Sequence, residues 1–257
     1  MVEQQTLAQA RPSCRRVQLP HFCGQVTDII LPRERANGLR PQGFLVEQDP
    51  HWTLPTHFHQ EHQFQLFVGG SARLGRRELP PLTVHYASPH SAYGPLCSGD
   101  AGVAYLTLRA ISDQGAWVLP DKRENLLLGG SKQQIHAAPS QVLNATALRS
   151  LRSAELQTLI EPSANGPAAW LTRLPPAACM RLPSSPHDGA GRFHALTCGQ
   201  VSSGQDVLEG LALIWSDPGM VLEVQALQDG AELVTMEFAP QAARSFVEDM
   251  KLPRAPY

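Results

Sequence analysis

Short apolar runs recur along the whole chain, and turn-forming residues end almost every one of them. Each run has about five to eight residues and is rich in Val, Leu, Phe or Trp, with Gly, Pro, Ser or Asp at its ends. This pattern is typical of antiparallel strands in a sandwich or barrel. The clearest runs are QGFLVEQ, FQLFVGG, LTVHYAS, GVAYLTLRA, AAWLTRL, RFHALTCG, LALIWSD, MVLEVQA and ELVTMEF.

Helix is expected only in short places. The 22 prolines and 20 glycines interrupt any long amphipathic period. The segment Ser140–Arg152 offers Ser140 or Asn144 as a helix cap, and the stretch PQAARSFVEDM near the C-terminus favours one further short helix. The pattern therefore predicts an all-β chain with a few short helices.

A spacing of 129 positions relates the two halves of the chain. Three pairs of turn-forming residues share this spacing, each in a similar strand–turn–strand setting. The pairs are Gly70 and Gly199, Pro89 and Pro218, and Asp100 and Asp229. Three matches with one offset indicate that a single β-domain was duplicated.

The repeat suggests how the domains are arranged. We expect an N-terminal arm at 1–35, a first barrel at 36–112, a linker at 113–152, a second barrel at 153–240 and a C-terminal tail at 241–257. The arm is expected to return to a sheet edge and cover it, which limits edge-to-edge association.

Composition narrows the class of protein. The net charge of the 257 residues is -2 and no long basic run occurs, which argues against a nucleic-acid partner. No stretch approaches the length of a membrane-spanning helix, and the first residues contain no apolar signal segment. The five cysteines are scattered and form no C-x-x-C pair, which fits reduced thiols. We therefore expect a soluble cytoplasmic protein with no membrane partner.

The stretch PTHFHQEHQFQLFVGG, at 55–70, concentrates histidine and amide side chains. His57 and His59 are two positions apart, so on a strand both leave the same face and can converge on one metal ion. Continued alternation would add Glu61, Gln63 and Gln65 to that face. Imidazoles suit Zn, Cu, Ni and Fe(II), and a carboxylate completes the ligand face of non-haem iron sites. A solvated polar strand is the alternative, because H-x-H also occurs on such strands.

This stretch resembles the first motif of the cupin superfamily, which is H-x-H, three or four residues, Glu, six residues and Gly. The chain has His57, His59, Gln63 and Gly70 at these places, and its turn SPHSAYG, at 88–94, is similar to the Pro-rich second motif. The resemblance covers both repeats. It implies two tandem cupin-type antiparallel jelly-roll barrels (a bicupin), a divalent metal (Fe, Zn, Ni or Mn), a small-molecule ligand or substrate and a homodimer.

Two positions depart from the cupin pattern. Gln63 stands where the family has Glu, and Tyr93 stands where the second motif has its histidine. His90 could replace that histidine, and Glu61 could supply the missing charge. The ligand candidates that the resemblance implies are His57, His59, Gln63 and His90. The candidate catalytic residues are Tyr93 and Glu61.

The second barrel lacks the motif. Moving the first motif forward by 129 positions finds Pro186, Asp188, Arg192 and, for Tyr93, Leu222. Only Asp188 is of a metal-ligating type. We therefore expect the second barrel to be degenerate and to have a structural role.

Three functions fit these residues. The first is a metal-dependent enzyme, such as a dioxygenase, acting on a small organic molecule in the first barrel. The second is a metal-free or vestigial cupin that binds a small ligand in a regulatory role. The third is a metal-independent isomerase or epimerase, with His57 or His59 as base and Tyr93 as acid.

Overall fold

The computed structural model describes residues 1–113, 115–129, 132–187 and 189–250, which form two compact units. The N-terminal unit comprises Ser13–Ala138 and the residues from Arg244 onward. The C-terminal unit comprises Met1–Pro12 and Pro139–Ala243. The domain boundaries given by the sequence stay predictions, and residues 251–257 of the predicted tail lie outside the described residues.

Nineteen strands account for most of the regular structure among the described residues. They are β1 Val2–Thr6, β2 Arg15–Leu19, β3 Phe22–Ile30, β4 Gln42–Gln48, β5 Thr53–Leu54, β6 His57–Phe58, β7 Gln63–Leu74, β8 Arg77–Leu79, β9 Val84–Ala87, β10 Leu96–Arg109, β11 Trp117–Val118, β12 Gln134–Ala137, β13 Glu155–Ile160, β14 Ala168–Leu174, β15 Cys179–Arg181, β16 Arg192–Ser203, β17 Asp206–Glu209, β18 Ala212–Ser216 and β19 Glu223–Glu237. All the strand pairings among them are antiparallel, as the sequence predicts.

The two units share one strand order over six strands, and β2 extends the sheet of the N-terminal unit by one further strand. The large sheet of the N-terminal unit runs β12-β9-β7-β10-β4-β3-β2, with β8 on β7 and β5 on β10. The large sheet of the C-terminal unit runs β1-β18-β16-β19-β14-β13, with β17 on β16 and β15 on β19. The first residues of the arm therefore cover the β18 edge as predicted, and β1 takes the place that β12 has in the other unit.

A matching backbone contact marks the repeat in each unit. Gly70 and Gly199 have positive φ angles of 68° and 83°, a region that favours glycine. A Cβ atom on Gly70 would lie 2.2 Å from the carbonyl oxygen of Gly102, and one on Gly199 would lie 2.1 Å from that of Gly230. The close approach of two backbones explains why glycine closes the run in both halves.

Three short α-helices accompany the sheets: α1 Leu7–Ala10, α2 Ala145–Arg149 and α3 Phe246–Asp249. Asn144 caps α2 and Ser245 caps α3, in the two segments where the sequence predicts helix. The sequence reasoning missed α1, which begins with a capping box between Thr6 and Gln9. No helix within the described ranges is long and apolar enough to cross a membrane.

The core of the N-terminal unit lies against both faces of β7 at its start. Phe64 and Leu66 are fully buried, and Gln63 and Gln65, which alternate with them, are buried too. Burial on both faces explains why this strand carries amides where a half-exposed strand would carry charged residues. The amide face of β7 forms one wall of a cavity.

Candidate functional site

The motif stretch folds differently from the continuous strand that its alternation suggests. His57 and Phe58 form β6, residues 59–62 are irregular, and β7 begins only at Gln63. His57 exchanges two backbone hydrogen bonds with Tyr93, of 3.0 Å and 2.9 Å, which brings the two motifs together. The break removes Glu61 from the face shared by His57, His59, Gln63 and Gln65, so the expected position of Glu61 is wrong.

A cavity of about 570 Å³ opens inside the N-terminal unit. One part of its wall is polar, and it includes His57, His59, Gln63, Gln65, Thr107, Arg109 and Asp113. Another part is apolar, and it includes Val17, Leu19, Phe22, Val26, Phe44, Val46 and Leu54. The volume and the mixed lining are those of a site for a small organic molecule.

His57 is held as a neutral imidazole. Its Nδ1 lies 2.8 Å from the carbonyl oxygen of Pro55, and because a carbonyl only accepts, Nδ1 carries the proton. Burial, and then the neighbouring His59, lower the pKa of His57 to about 3. At neutral pH, Nε2 is therefore an unprotonated acceptor.

His59 is oriented by a carboxylate. Its Nδ1 lies 2.9 Å from Oδ2 of Asp113, and the same oxygen accepts the backbone N–H of Gln60 at 3.2 Å. Burial and the charge of Arg109 lower the pKa of His59, whereas Asp113 raises it. The imidazole is thus the neutral form at pH 7, with its proton on Nδ1 and its lone pair on Nε2.

Arg109 is a buried cation at the end of β10. Its Nε and Nη2 both donate to Oε1 of Gln63, at 3.0 Å and 2.6 Å, and its Nη1 donates to Oε1 of Gln42 at 2.9 Å. The guanidinium carbon lies 5.6 Å from the centre of the Phe44 ring. Burial lowers the pKa of Arg109, while the charge of Asp113 is the largest influence that raises it. A guanidinium keeps its proton in such surroundings.

Gln63 connects Arg109 to Tyr93. The amide oxygen accepts from the guanidinium, and the amide nitrogen donates to the Tyr93 hydroxyl at 2.7 Å. The Tyr93 ring lies 4.5 Å from the His57 ring and 4.6 Å from the His85 ring, measured between centroids. Burial raises the pKa of Tyr93, so its phenol stays protonated at neutral pH.

His90 and Glu61 lie in other surroundings and are not among the residues that line the cavity. The His90 ring stacks on Phe58 with centroids 5.1 Å apart, and its Nδ1 accepts the backbone N–H of Leu127 at 3.3 Å. Glu61 accepts hydrogen bonds from the Ser245 hydroxyl at 2.6 Å and from the Phe246 N–H at 3.0 Å. Burial raises the pKa of Glu61 to about 7. Glu61 therefore anchors the start of α3.

These contacts bear on the predicted metal ligands. His57 and His59 each commit Nδ1 to an oxygen and leave Nε2, an orientation common to metal-ligating histidines. Gln63, however, gives its oxygen to a cation, and His90 lies elsewhere. No group of three His, Cys, Asp or Glu side chains within the described part of the chain is placed to hold a metal ion. The four candidates do not fit a metal as one set, and the ligand assignment stays a prediction.

The sequence reasoning missed Arg109 and Asp113. A signal existed for Arg109, because Tyr105, Thr107 and Arg109 alternate along β10 and all line the cavity. Asp113 follows the strand in an irregular segment, where periodicity carries no information on direction.

The C-terminal unit has an ion pair at the equivalent place. Arg192, which corresponds to Gln63 in the repeat, donates through Nη1 to Oε2 of Glu237 at 3.0 Å, and the two are partners across β16 and β19. A smaller cavity of about 180 Å³ lies beside this pair. Asp188, the one residue of a metal-ligating type at the motif positions of the second half, lies outside the described residues.

Solved structures with the same fold span nearly the whole chain. An oxalate decarboxylase from Lactobacillus farciminis, in complex with formate, matches with a TM-score of 0.61 and 12% identity over 92% of this chain and 86% of its own. A proposed dioxygenase from Nostoc punctiforme matches with a TM-score of 0.59 and 11% identity over 100% and 87%. The Bacillus subtilis oxalate decarboxylase, described with Mn(II) centres, matches with a TM-score of 0.58 and 12% identity over 92% and 76%.

These similarities show the fold: the chain has the cupin jelly-roll fold that its motifs predict. No protein-family model matches the sequence. No curated protein matches it either.

Proposed function

We propose that the cavity of the N-terminal unit binds a small organic molecule and performs metal-independent acid–base chemistry on it. The observation that carries this proposal is the hydrogen bond of 2.9 Å between Asp113 and Nδ1 of His59 in the cavity wall. A carboxylate that holds one ring nitrogen fixes the tautomer and leaves the other nitrogen as the base.

The reaction type that suits this pair is proton abstraction next to a carbonyl group. Nε2 of His59 takes the proton, and the electron pair of the broken C–H bond moves onto the carbonyl oxygen as an enolate. Asp113 stabilises the imidazolium that forms, and the charge of Arg109 stabilises the enolate oxygen. Returning the proton to carbon from either face gives an isomerase or an epimerase. The Tyr93 phenol, whose ring centroid lies 6.3 Å from that of His59, is the candidate acid, although Tyr93 is not among the residues that line the cavity.

Hydrogen exchange tests this chemistry without a known substrate. A panel of small carbonyl compounds is incubated with the protein in D2O, and loss of the C–H signal is followed by proton NMR. We expect exchange in at least one compound, a loss of about a hundredfold or more in His59→Gln, and a smaller loss in Asp113→Asn. The exposed His51 supplies the matched control, His51→Gln, which should behave as the parent protein. Exchange that persists in His59→Gln would contradict the proposal.

A metal-dependent reaction, such as that of a dioxygenase, is the second candidate. Two observations favour it: Nδ1 of His57 and Nδ1 of His59 each face an oxygen, an orientation common to metal-ligating histidines, and Mn(II) centres are described for a decarboxylase of the same fold. Elemental analysis of protein purified without a histidine tag, against His57→Ala and His59→Ala, separates the candidates. Stoichiometric metal that both variants lose would establish the second one. The homodimer and the cytoplasmic location stay predictions.

A further inference from the structure

Arg109 lies beside His57 and His59 and has more N–H donors than the amide oxygens around it accept. A guanidinium has five N–H donors. Three of them reach the amide oxygens of Gln63 and Gln42, so one N–H on each terminal nitrogen remains. Nδ1 of His59 lies 3.2 Å from Nη2 but gives its proton to Asp113, so it cannot also accept. The second N–H of Nη2 therefore faces the His59 ring, and the second N–H of Nη1 is the one that has no acceptor among the described residues. Arg109 is part of the cavity wall.

The C-terminal unit shows how this fold otherwise treats a buried arginine. Arg192 pairs with Glu237 at 3.0 Å, and Arg173 pairs with Glu232 at 2.9 Å. Arg109 forms no ion pair with a carboxylate of the described residues, and its partners are neutral amides. A buried charge is costly unless it is compensated, and here the compensation comes from amide oxygens and from the nearby charge of Asp113, whose carboxylate is itself held by His59. A ligand anion would give the guanidinium a direct charged partner.

The surroundings limit which anion fits. Asp113 already supplies one negative charge near the site, and its carboxylate is engaged by His59 and by the Gln60 N–H. Arg109 attracts an anionic ligand and Asp113 opposes each further negative charge, so a ligand with one negative charge is expected to fit better than a ligand with two. The apolar wall formed by Phe22, Val26, Phe44, Val46 and Leu54 suits a ligand with a hydrocarbon body.

We propose that the cavity is specific for a small monocarboxylate with an apolar body, whose carboxylate accepts the remaining N–H of Nη1 of Arg109 and is attracted by the guanidinium charge. This inference rests on the proposed function, since it names the ligand class of the same cavity. Arg109 then supplies the positive charge that a divalent ion supplies in a metal-binding protein of this fold. The apolar body lies against β3 and β4, and the polar end lies beside His57 and His59.

Matched acids and amides test the ligand class in the parent protein. Phenylacetate and hexanoate are titrated calorimetrically beside phenylacetamide and hexanamide, which have the same shape and no charge. We expect each acid to bind at least about tenfold more tightly than its amide, the usual gain from a charge-assisted hydrogen bond. Equal affinities, or binding of neither acid, would overturn the inference.

Variants of Arg109 assign the preference to this residue. In Arg109→Gln the preference for the acid should disappear, and in Arg109→Lys it should survive in part, because the charge remains without the fork of donors. Arg76→Gln, at an exposed position, is the matched control and should keep the full preference. Circular dichroism establishes that each variant is folded. A full preference retained in folded Arg109→Gln would contradict the inference.

The two proposals can fail separately. A preference for acids without hydrogen exchange in any carbonyl compound would leave the monocarboxylate site standing and remove the acid–base chemistry. Hydrogen exchange that depends on His59, in compounds whose acids bind no better than their amides, would leave the acid–base chemistry standing and remove the monocarboxylate site.

Discussion

A single amide determines the character of the cavity at the scale of residues. The Gln63 side chain accepts from Arg109 with its oxygen and donates to Tyr93 with its nitrogen. A glutamate, which the cupin motif has at this place, would be acceptor-only when ionised and could not donate to the phenol. It would also neutralise Arg109. Gln63 therefore lets Arg109 keep its positive charge without an ion pair at this position.

The variant Gln63→Glu tests this coupling. The new carboxylate should form an ion pair with Arg109, as Glu237 does with Arg192 in the other unit. We expect phenylacetate to bind about tenfold or more weakly, because the anion now competes with an internal one. Phenylacetamide should be little affected. Calorimetric titration of both compounds gives the result, and unchanged affinity for the acid would show that Gln63 does not control the charge of the site.

Some residues of the candidate site could be predicted from the sequence, and others could not. His57 and His59 could be placed together from their spacing, because β6 and the turn after it keep both in the cavity wall. The role of Glu61 could not be predicted, since it depends on Ser245 and Phe246, which are far away in sequence. A hydrogen bond between such distant segments leaves no local pattern.

At the scale of elements, the apolar runs predict the central strands well, because strands such as β14 and β18 are buried on both faces and are therefore rich in apolar residues. The irregular segment at 59–62 is the exception. There, Asp113 accepts the Gln60 N–H on one side, and Glu61 bonds to the start of α3 on the other. These contacts replace the ladder that a continuous strand would have formed, and alternation cannot reveal them.

The glycine contact between β7 and β10 provides a test of the repeated element. Gly70→Ala places a methyl group 2.2 Å from the Gly102 oxygen in addition to the strain of its positive φ, so the two backbones must separate. Gly204→Ala is the matched control, because its φ is also positive, at 62°, and nothing lies within 4 Å.

We expect Gly70→Ala to lower the free energy of unfolding by about 3 kcal/mol or more, and Gly204→Ala by about 1–2 kcal/mol. Urea unfolding followed by tryptophan fluorescence gives both values. Equal losses in the two variants would mean that the close approach of the backbones is not important for stability.

At the scale of the whole molecule, one strand order is used twice with different polar interiors. The offset of 129 positions could be found in the sequence because the turn glycines are fixed by backbone contact. The difference between the two interiors could be predicted only in part. The sequence shows that the second half lacks the motif histidines. It does not show that the pair Gln63–Arg109 is replaced by Arg192–Glu237, because that requires knowledge of the strand register.

The central claim is that Arg109, rather than a metal ion, holds the ligand in the N-terminal unit. The most direct test is the electron density of this cavity in crystals grown with phenylacetate. We predict a carboxylate oxygen within about 2.7–3.2 Å of Nη1 of Arg109 and a phenyl ring against Phe44 and Val46. A divalent ion bound to His57 and His59, or a ligand whose ring points toward Arg109, would contradict it.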